Sequence, residues 1–373
     1  MKEVVIVTDA YPRIRNAMYI AMQNYHTYPV NILIHGNNDL LNFFKLANKK
    51  LFNNEINLIF FDYFLTDPIR VTAKGLKKIF YILPDMLREK RYLREVYKKY
   101  FSQFEGCEVY VLSRGYMDFY VAKKLRRKNR IVYISSYPTE VTPVQYTPAS
   151  IIDIIKLIIA KLVYGGGITL GKLPHRKGFP HISDGFMKKE IDVVISDAER
   201  DEMMKDFILH KIKLFDVANY SVMYFPQSLM DSEYIGDKAT YRREIVEIFG
   251  IISKYFPENE IASKYHPGYP ESEKTIVRIG DILPDYIPAE FLYDDSIKMY
   301  LGAISSAISN VENGLVVSIM DLISLKSDED RKALKQILVD MSHSEILFPK
   351  SLDELEEILI GIGQNKDIRV PDE

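Results

Sequence analysis

The chain is poor in cysteine: Cys107 is the only one in 373 residues. A lone thiol excludes an intramolecular disulfide and cannot supply a cysteine cluster for zinc, so a reducing compartment is the simpler setting. A dominant charge is also missing, since 49 Lys and Arg oppose 51 Asp and Glu. That balance gives no general drive toward nucleic acid or anionic lipid. Nothing at the N-terminus has the shape of a signal peptide: Met1-Lys2-Glu3 leads straight into a β-run. A cytoplasmic protein is therefore expected. Long apolar runs are lacking too. The strongest, Ile151–Val163, is interrupted by Asp153, Lys156 and Lys161, well short of the roughly 20 residues that span a bilayer. It reads as a buried or domain-flanking helix, with shallow membrane contact as the alternative. No Gly-rich dinucleotide fingerprint follows the first strand, which ends Thr8-Asp9-Ala10-Tyr11-Pro12, and there is no Walker loop. Nicotinamide and ATP chemistries are disfavoured accordingly.

What is present fits a folded two-domain protein. Apolar content is 47% and charged content 27%, ordinary for a globular chain whose length exceeds one core. Short β-branched runs at 4–7, 30–34, 56–61, 109–112, 131–134 and 193–195 alternate with helical patterns. That alternation predicts a parallel sheet covered on both faces. The second half repeats it, with strands expected at 221–225, 261–265, 299–304, 315–319 and 345–348 and helices at 241–256 and 352–362. The expected architecture is α/β, with two Rossmann-like doubly wound domains facing across a cleft. The boundaries are 1–210 and 211–373, with the final helix an option to pack back on the first domain. The basic run Lys123–Lys128 reads as a solvated helix end, or as a membrane-surface or acceptor patch.

Three polar chemistries stand close together in the second half. Lys264-Tyr265-His266-Pro267 ends one expected strand, and Pro288-Ala289-Glu290 and Ser305-Ser306 are likewise expected at strand ends. Ligands of open parallel sheets bind beyond the carboxyl ends of strands. An imidazolium there can hold or protonate a phosphate, a carboxylate can accept two ribose hydroxyls, and a hydroxyl pair opening a helix can hold an anion. Gln227 ends the first strand of this half. In the first half, Ser183-Asp184-Gly185 could place Asp184 to take a proton from an acceptor hydroxyl. Asp9 and Tyr11 are weaker candidates. Asp294-Asp295 reads as a turn or cap, so no metal site is expected.

These motifs resemble those of the bacterial sialyltransferases of glycosyltransferase family 52 and the related capsule polysialyltransferases. The resemblance rests on the ordered set Ser183-Asp184-Gly185, Phe225-Pro226-Gln227, Lys264-x-His266-Pro267, Pro288-x-Glu290 and Ser305-Ser306, and spans roughly residues 1–310. It implies a GT-B fold, a CMP-sialic acid donor substrate, inversion at the anomeric carbon, no metal and no other cofactor. It further implies that His266 contacts or protonates the CMP phosphate, that Ser305 and Ser306 bind it, and that Glu290 holds the ribose. Lys264, Pro267 and Gln227 would line the donor site. The expected partners are a CMP-activated sugar and an oligosaccharide, glycolipid or capsule acceptor, with peripheral contact at the inner membrane face and a homodimer as further options. One position departs from the pattern: Ser183 stands where an acidic residue is expected, which leaves Asp184 as the candidate base. Alternatives are a donor of another kind (CMP-Kdo, CMP-legionaminic acid or a UDP-sugar) or a catalytically weak glycan-assembly subunit.

Overall fold

The computed structural model describes residues 2–8, 13–36, 38–62, 77–112, 116–134, 191–207, 212–226, 234–266 and 279–363. The chain divides into two compact units, Met1–Phe207 and Ile208–Glu373. Each contains a six-stranded sheet whose pairs are all parallel.

In the first unit the strands are β1 (Val4–Thr8), β2 (Val30–His35), β3 (Asn57–Phe61), β4 (Glu108–Val111), β5 (Arg130–Ile134) and β6 (Val193–Ile195), in the order β3-β2-β1-β4-β5-β6. β1 and β2 are buried along their whole length, as their continuous β-branched runs require of a central strand covered on both faces. Described helices are α1 (Ile14–Asn24), α2 (Asn38–Leu51), α3 (Lys77–Val96), α4 (Tyr116–Leu125) and α5 (Asp197–Met204). α5 starts at a capping box, with the Ser196 hydroxyl accepting the Glu199 N–H and the Glu199 carboxylate accepting the Ser196 N–H.

The second unit repeats the plan with β7 (Val222–Phe225), β8 (Ile261–Ser263), β9 (Asp281–Ile282), β10 (Met299–Gly302), β11 (Leu315–Ser318) and β12 (Ile346–Leu347). Their order, β12-β11-β10-β7-β8-β9, is the first sheet's order read from the other edge. Both are therefore doubly wound sheets with a reversal of strand order beside their first strand. The helices are α6 (Lys238–Ile252), α7 (Ser306–Ser309), α8 (Asp328–Met341) and α9 (Leu352–Gly363). The core joins Val222, Tyr224, Leu301 and Val317 of the sheet to Ile245 and Ile248 of α6 and Leu355 and Leu359 of α9. α9 lies against α6 within this unit, with Glu356 accepting from Lys254 and Tyr255.

Several strand ends differ from the sequence expectation. β8 stops at Ser263 and β10 at Gly302, so His266 and Ser305 stand three residues beyond their strands. β9 and α8 had no counterpart in the sequence reading. β9 is only Asp281–Ile282, too short to carry a period, and α8 is held mainly by Leu334 and Leu338.

Candidate functional site

Ligands of doubly wound sheets collect where the strand order reverses. In the second unit that point lies between β7 and β10, whose register pairs Phe225 with Gly302. The chain leaves β7 into Pro226 and leaves β10 into Ala303-Ile304-Ser305-Ser306. β8 flanks β7 and leads to Lys264-Tyr265-His266. The second-half motifs thus belong to the carboxyl edges of β8 and β10, on either side of β7.

The Ser305-Ser306 turn is fixed from several directions. The Ser305 hydroxyl accepts the Ala307 N–H at 3.3 Å, and the Ser318 hydroxyl at the end of β11 donates to the Ala303 carbonyl at 2.8 Å. Gly302 has a steric reason to lack a side chain. A Cβ there would come to 3.0 Å from the Ile308 side chain and 3.4 Å from the Phe225 carbonyl, so a neighbour would have to give by a few tenths of an ångström. The helix expected to open at this point is the single turn α7. Two of its first N–H groups are already committed, Ala307 to the Ser305 hydroxyl and Ile308 to the Ser305 carbonyl. That leaves less free donor capacity than a long helix would present.

Glu290 is not at a strand end. It sits in a 3₁₀ turn, Ala289–Phe291, within the stretch that carries the chain from β9 to β10. Pro288 opens that turn, and its carbonyl accepts the Phe291 N–H at 3.1 Å. Three residues on, the Tyr293 ring is buried edge-on to Phe225 of β7 and Tyr300 of β10, at 6.4 and 5.7 Å between centroids. Its hydroxyl donates to the Ala307 carbonyl at 2.7 Å. Burial, and then the nearby Glu290 carboxylate, push the Tyr293 phenol well above its ordinary pKa. Tyr293 therefore ties the segment that carries Glu290 to the serine turn.

Lys264 is buried, with only 5% of its surface exposed. Its ammonium donates to the Tyr265 carbonyl at 2.5 Å and the Asp285 carbonyl at 3.2 Å. A buried cation must be met by oxygen acceptors, and here these include main-chain carbonyls on both sides of β9. Lys264 thus ties the end of β8 to the start of the segment bearing Glu290. His266, two residues later, is exposed. Asp294 fills the turn role expected of its pair. Its carboxylate accepts the Ser296 N–H at 3.0 Å and pairs with Lys213 at 2.9 Å, which hold its pKa below the usual value.

The other expected site residues, Asp184, Gln227 and Pro267, lie outside the described residues, as do Ser183, Asp9, Tyr11 and the apolar run 151–163. Tyr293 and Tyr300 were missed in the sequence. The available signal was an apolar run, Phe291-Leu292-Tyr293, ending in a side chain that buries a ring while keeping a polar tip. Among the described residues no group of three or more His, Cys, Asp or Glu could hold a metal ion.

No protein-family model matches the chain, and no curated protein is significantly similar to it. Solved structures similar to it include S. aureus MnaA in a co-structure with UDP, at 10% identity and a TM-score of 0.40 over 97% of this chain and 88% of that one. A UDP-glucosyltransferase from Polygonum tinctorium is similar at 12% identity, TM-score 0.38, over 98% and 91%. The Streptomyces sp. SF2575 glycosyltransferase SsfS6 gives 9% identity, TM-score 0.37, over 98% and 94%. Likenesses this distant place no residue of the chain and assign it no chemistry.

Proposed function

We propose that the protein is an inverting glycosyltransferase of GT-B type that moves sialic acid, or a related nonulosonic acid, from a CMP donor to a sugar hydroxyl of a surface glycan. The observation that supports this reading is the position of His266 beyond β8 and of Ser305-Ser306 beyond β10, the two strands that flank β7, with Glu290 on the crossover that enters β10. A nucleoside monophosphate needs that set: acceptors for the ribose hydroxyls and donors for the phosphate. The carboxylate of Glu290 would take the ribose hydroxyls. The hydroxyls of Ser305 and Ser306 would donate to the phosphate.

In the transfer, the acceptor oxygen bonds to the anomeric carbon as the bond from that carbon to the phosphate oxygen breaks. The electron pair leaves with CMP. An imidazolium at His266 stabilises or protonates the departing phosphate, and the acceptor proton passes to Asp184, since Ser183 cannot serve as a base near neutral pH. Lys264 contributes by position, holding the ends of β8 and β9 together. Oriented donors at such a charge are worth roughly 10²–10³-fold each, and a general base roughly 10²–10⁴-fold. His266→Ala should therefore reduce turnover by at least about two orders of magnitude.

The test is a thermal shift with CMP, UDP and GDP on the wild type and on His266→Ala, since a ligand that binds the folded state raises its apparent stability. Stabilisation by CMP alone, lost in the variant, supports the reading and leads to an acceptor screen with CMP-sialic acid. Preference for UDP would keep a nucleotide-sugar enzyme and replace the donor. No response to any of the three would favour a glycan-assembly subunit without transfer activity.

A further inference from the structure

The first unit holds a buried hydroxyl that its own fold leaves unused. Three strands end in a hydroxyl side chain that is fully buried: β1 in Thr8, β8 in Ser263 and β11 in Ser318. Ser263 donates to the Ile279 carbonyl and Ser318 to the Ala303 carbonyl. The Thr8 hydroxyl has no hydrogen-bond partner among the described residues. A polar group shut away from water destabilises a fold unless something hydrogen-bonds to it.

The direction of that hydroxyl follows from the sheet. Side chains alternate along a strand, and Val5 and Val7 lie in one core with Leu93 and Val96 of α3 and Val121 and Leu125 of α4. Val4, Ile6 and Thr8 therefore face the opposite side. That side carries α1, because the steps from β1 to β2 and from β3 to β4 run in opposite directions across the sheet and right-handed crossovers then lie on opposite faces. α1 packs against β1 and runs back from the carboxyl edge, so its first turn lies over the end of β1.

The start of α1 is open in the same place. Its N-cap residue, Arg13, makes no side-chain cap bond, and no acidic residue stands in the first turn. A helix start offers main-chain N–H groups and the positive end of the helix dipole. β2 pairs with β1 as far as Thr8, whereas β4 pairs with it only as far as Val7. Thr8 thus stands at the gap where the strand order reverses, and ligands of such sheets collect there.

We propose that the end of β1 and the first turn of α1 form an oxyanion site, in which the Thr8 hydroxyl and the N–H groups beginning with Ile14 and Arg15 donate to the oxygens of a phosphate group. A neutral sugar hydroxyl would satisfy Thr8 alone, and an anion also uses the helix start. The site is built from the first unit and does not depend on the transfer reaction.

The experiment is hydrogen exchange on the full chain carrying His266→Ala, which removes a phosphate contact proposed for the second unit. Inorganic phosphate is compared with chloride at equal ionic strength. Phosphate should slow exchange of the Ile14 and Arg15 amides. Thr8→Val should need roughly tenfold more phosphate for the same protection, having lost one hydrogen bond to a charged group. Without phosphate, Thr8→Val should melt roughly 2–4 °C higher, because a methyl group replaces an unused buried hydroxyl. Thr8→Ser keeps the hydroxyl and should keep the phosphate response. CMP identifies the source: protection by CMP that Thr8→Val weakens makes the phosphate a nucleotide's, and protection by inorganic phosphate alone makes it one carried by another substrate. The proposal is overturned if phosphate and chloride act alike on those amides, or if Thr8→Val responds to phosphate as the parent does. It is also overturned if Thr8→Ser loses as much as Thr8→Val, or if Thr8→Val melts lower or fails to fold, since the hydroxyl would then be bonded within the fold.

Discussion

The two sheets share one strand order but differ in how the chain crosses from the third strand to the fourth. In the first unit that crossing, from β3 to β4, includes the long helix α3 and a π-helical turn at Tyr97–Phe101. In the second, from β9 to β10, it is Leu283–Lys298, with no helix longer than the 3₁₀ turn at Ala289–Phe291. A long crossover can cover a face with a regular helix. A short one has no length to spare and must run close to the sheet, where its side chains meet the strand ends. That brevity is what brings Glu290 and Tyr293 to the carboxyl edge of β7 and β10. The first unit uses the same topological step to display a helix face outward.

The polar clamps differ in the same sense. In the first unit they hold the amino edge: Asn129 accepts the Cys107 N–H and donates to the Phe104 and Leu125 carbonyls, and Asn48 bridges both main-chain groups of Ile56. In the second, Lys264 and Tyr293 hold segments at the carboxyl edge. The second unit is clamped at its amino edge too, where the Ser221 hydroxyl donates to the Glu260 carboxylate at 2.6 Å.

The sharpest way to break this comparison is at a pair of left-handed glycines. A Cβ on Gly280, at φ +62°, would lie 2.0 Å from the Ile261 carbonyl oxygen. Gly280→Ala should cost at least about 2 kcal/mol. Gly106, at φ +74°, faces only the flexible Lys2 side chain at 3.6 Å, so Gly106→Ala should cost about 1 kcal/mol. Urea unfolding followed by circular dichroism reads both, and equal costs would mean that the Gly280 strand edge relaxes freely.

Next come the clamps. Asn129→Ala and Lys264→Met each strand main-chain groups, at about 1–3 kcal/mol. On the proposed reading they should part in binding, with the Lys264 variant binding CMP more weakly and the Asn129 variant binding it as the wild type does. Isothermal titration at matched folded fractions would decide. A smaller effect is expected of Tyr293→Phe, which loses one hydrogen bond worth about 1 kcal/mol and loosens the serine turn. On the proposed reading its signature is a weaker CMP affinity beside a Tm lowered by roughly 2–4 °C.

The smallest effect is electrostatic. Asp294 has its pKa lowered by the Lys213 and Ser296 contacts. Its contribution to stability is therefore complete above the unfolded aspartate pKa and is lost as pH falls through the lower folded value. Asp294→Asn should remove that contribution at neutral pH, lowering stability slightly there, flatten the acid limb in that window, and leave stability below the folded pKa nearly unchanged. An unaltered acid limb would mean that the ion pair is too solvated to matter.

Much of the layout was legible in the sequence. Val4-Val5-Ile6-Val7 and Val30–Ile34 are β-branched runs that only a doubly covered sheet can bury, and Tyr241–Phe256 carries the period of α6. The positions of His266 and Ser305-Ser306 after β8 and β10 were legible as well, because both follow apolar runs. Glu290 was misread as a strand-end residue, since a short crossover and a strand end look alike when only polarity is visible. Lys264 was expected, by the resemblance, to line the donor site. Its burial against main-chain carbonyls depends on where the chain after β9 returns, which local pattern does not encode.

The sequence by itself determined the alternation of strands and helices and the order of the polar motifs, because both arise from side-chain periods and from residues adjacent in the chain. Only the tertiary structure decided that β7 stands between β8 and β10, that Tyr293 ties the segment carrying Glu290 to the serine turn, and that Lys264 faces inward. Those follow from the β9–β10 crossover and the parallel register, which bring together groups tens of residues apart through contacts that no local pattern contains.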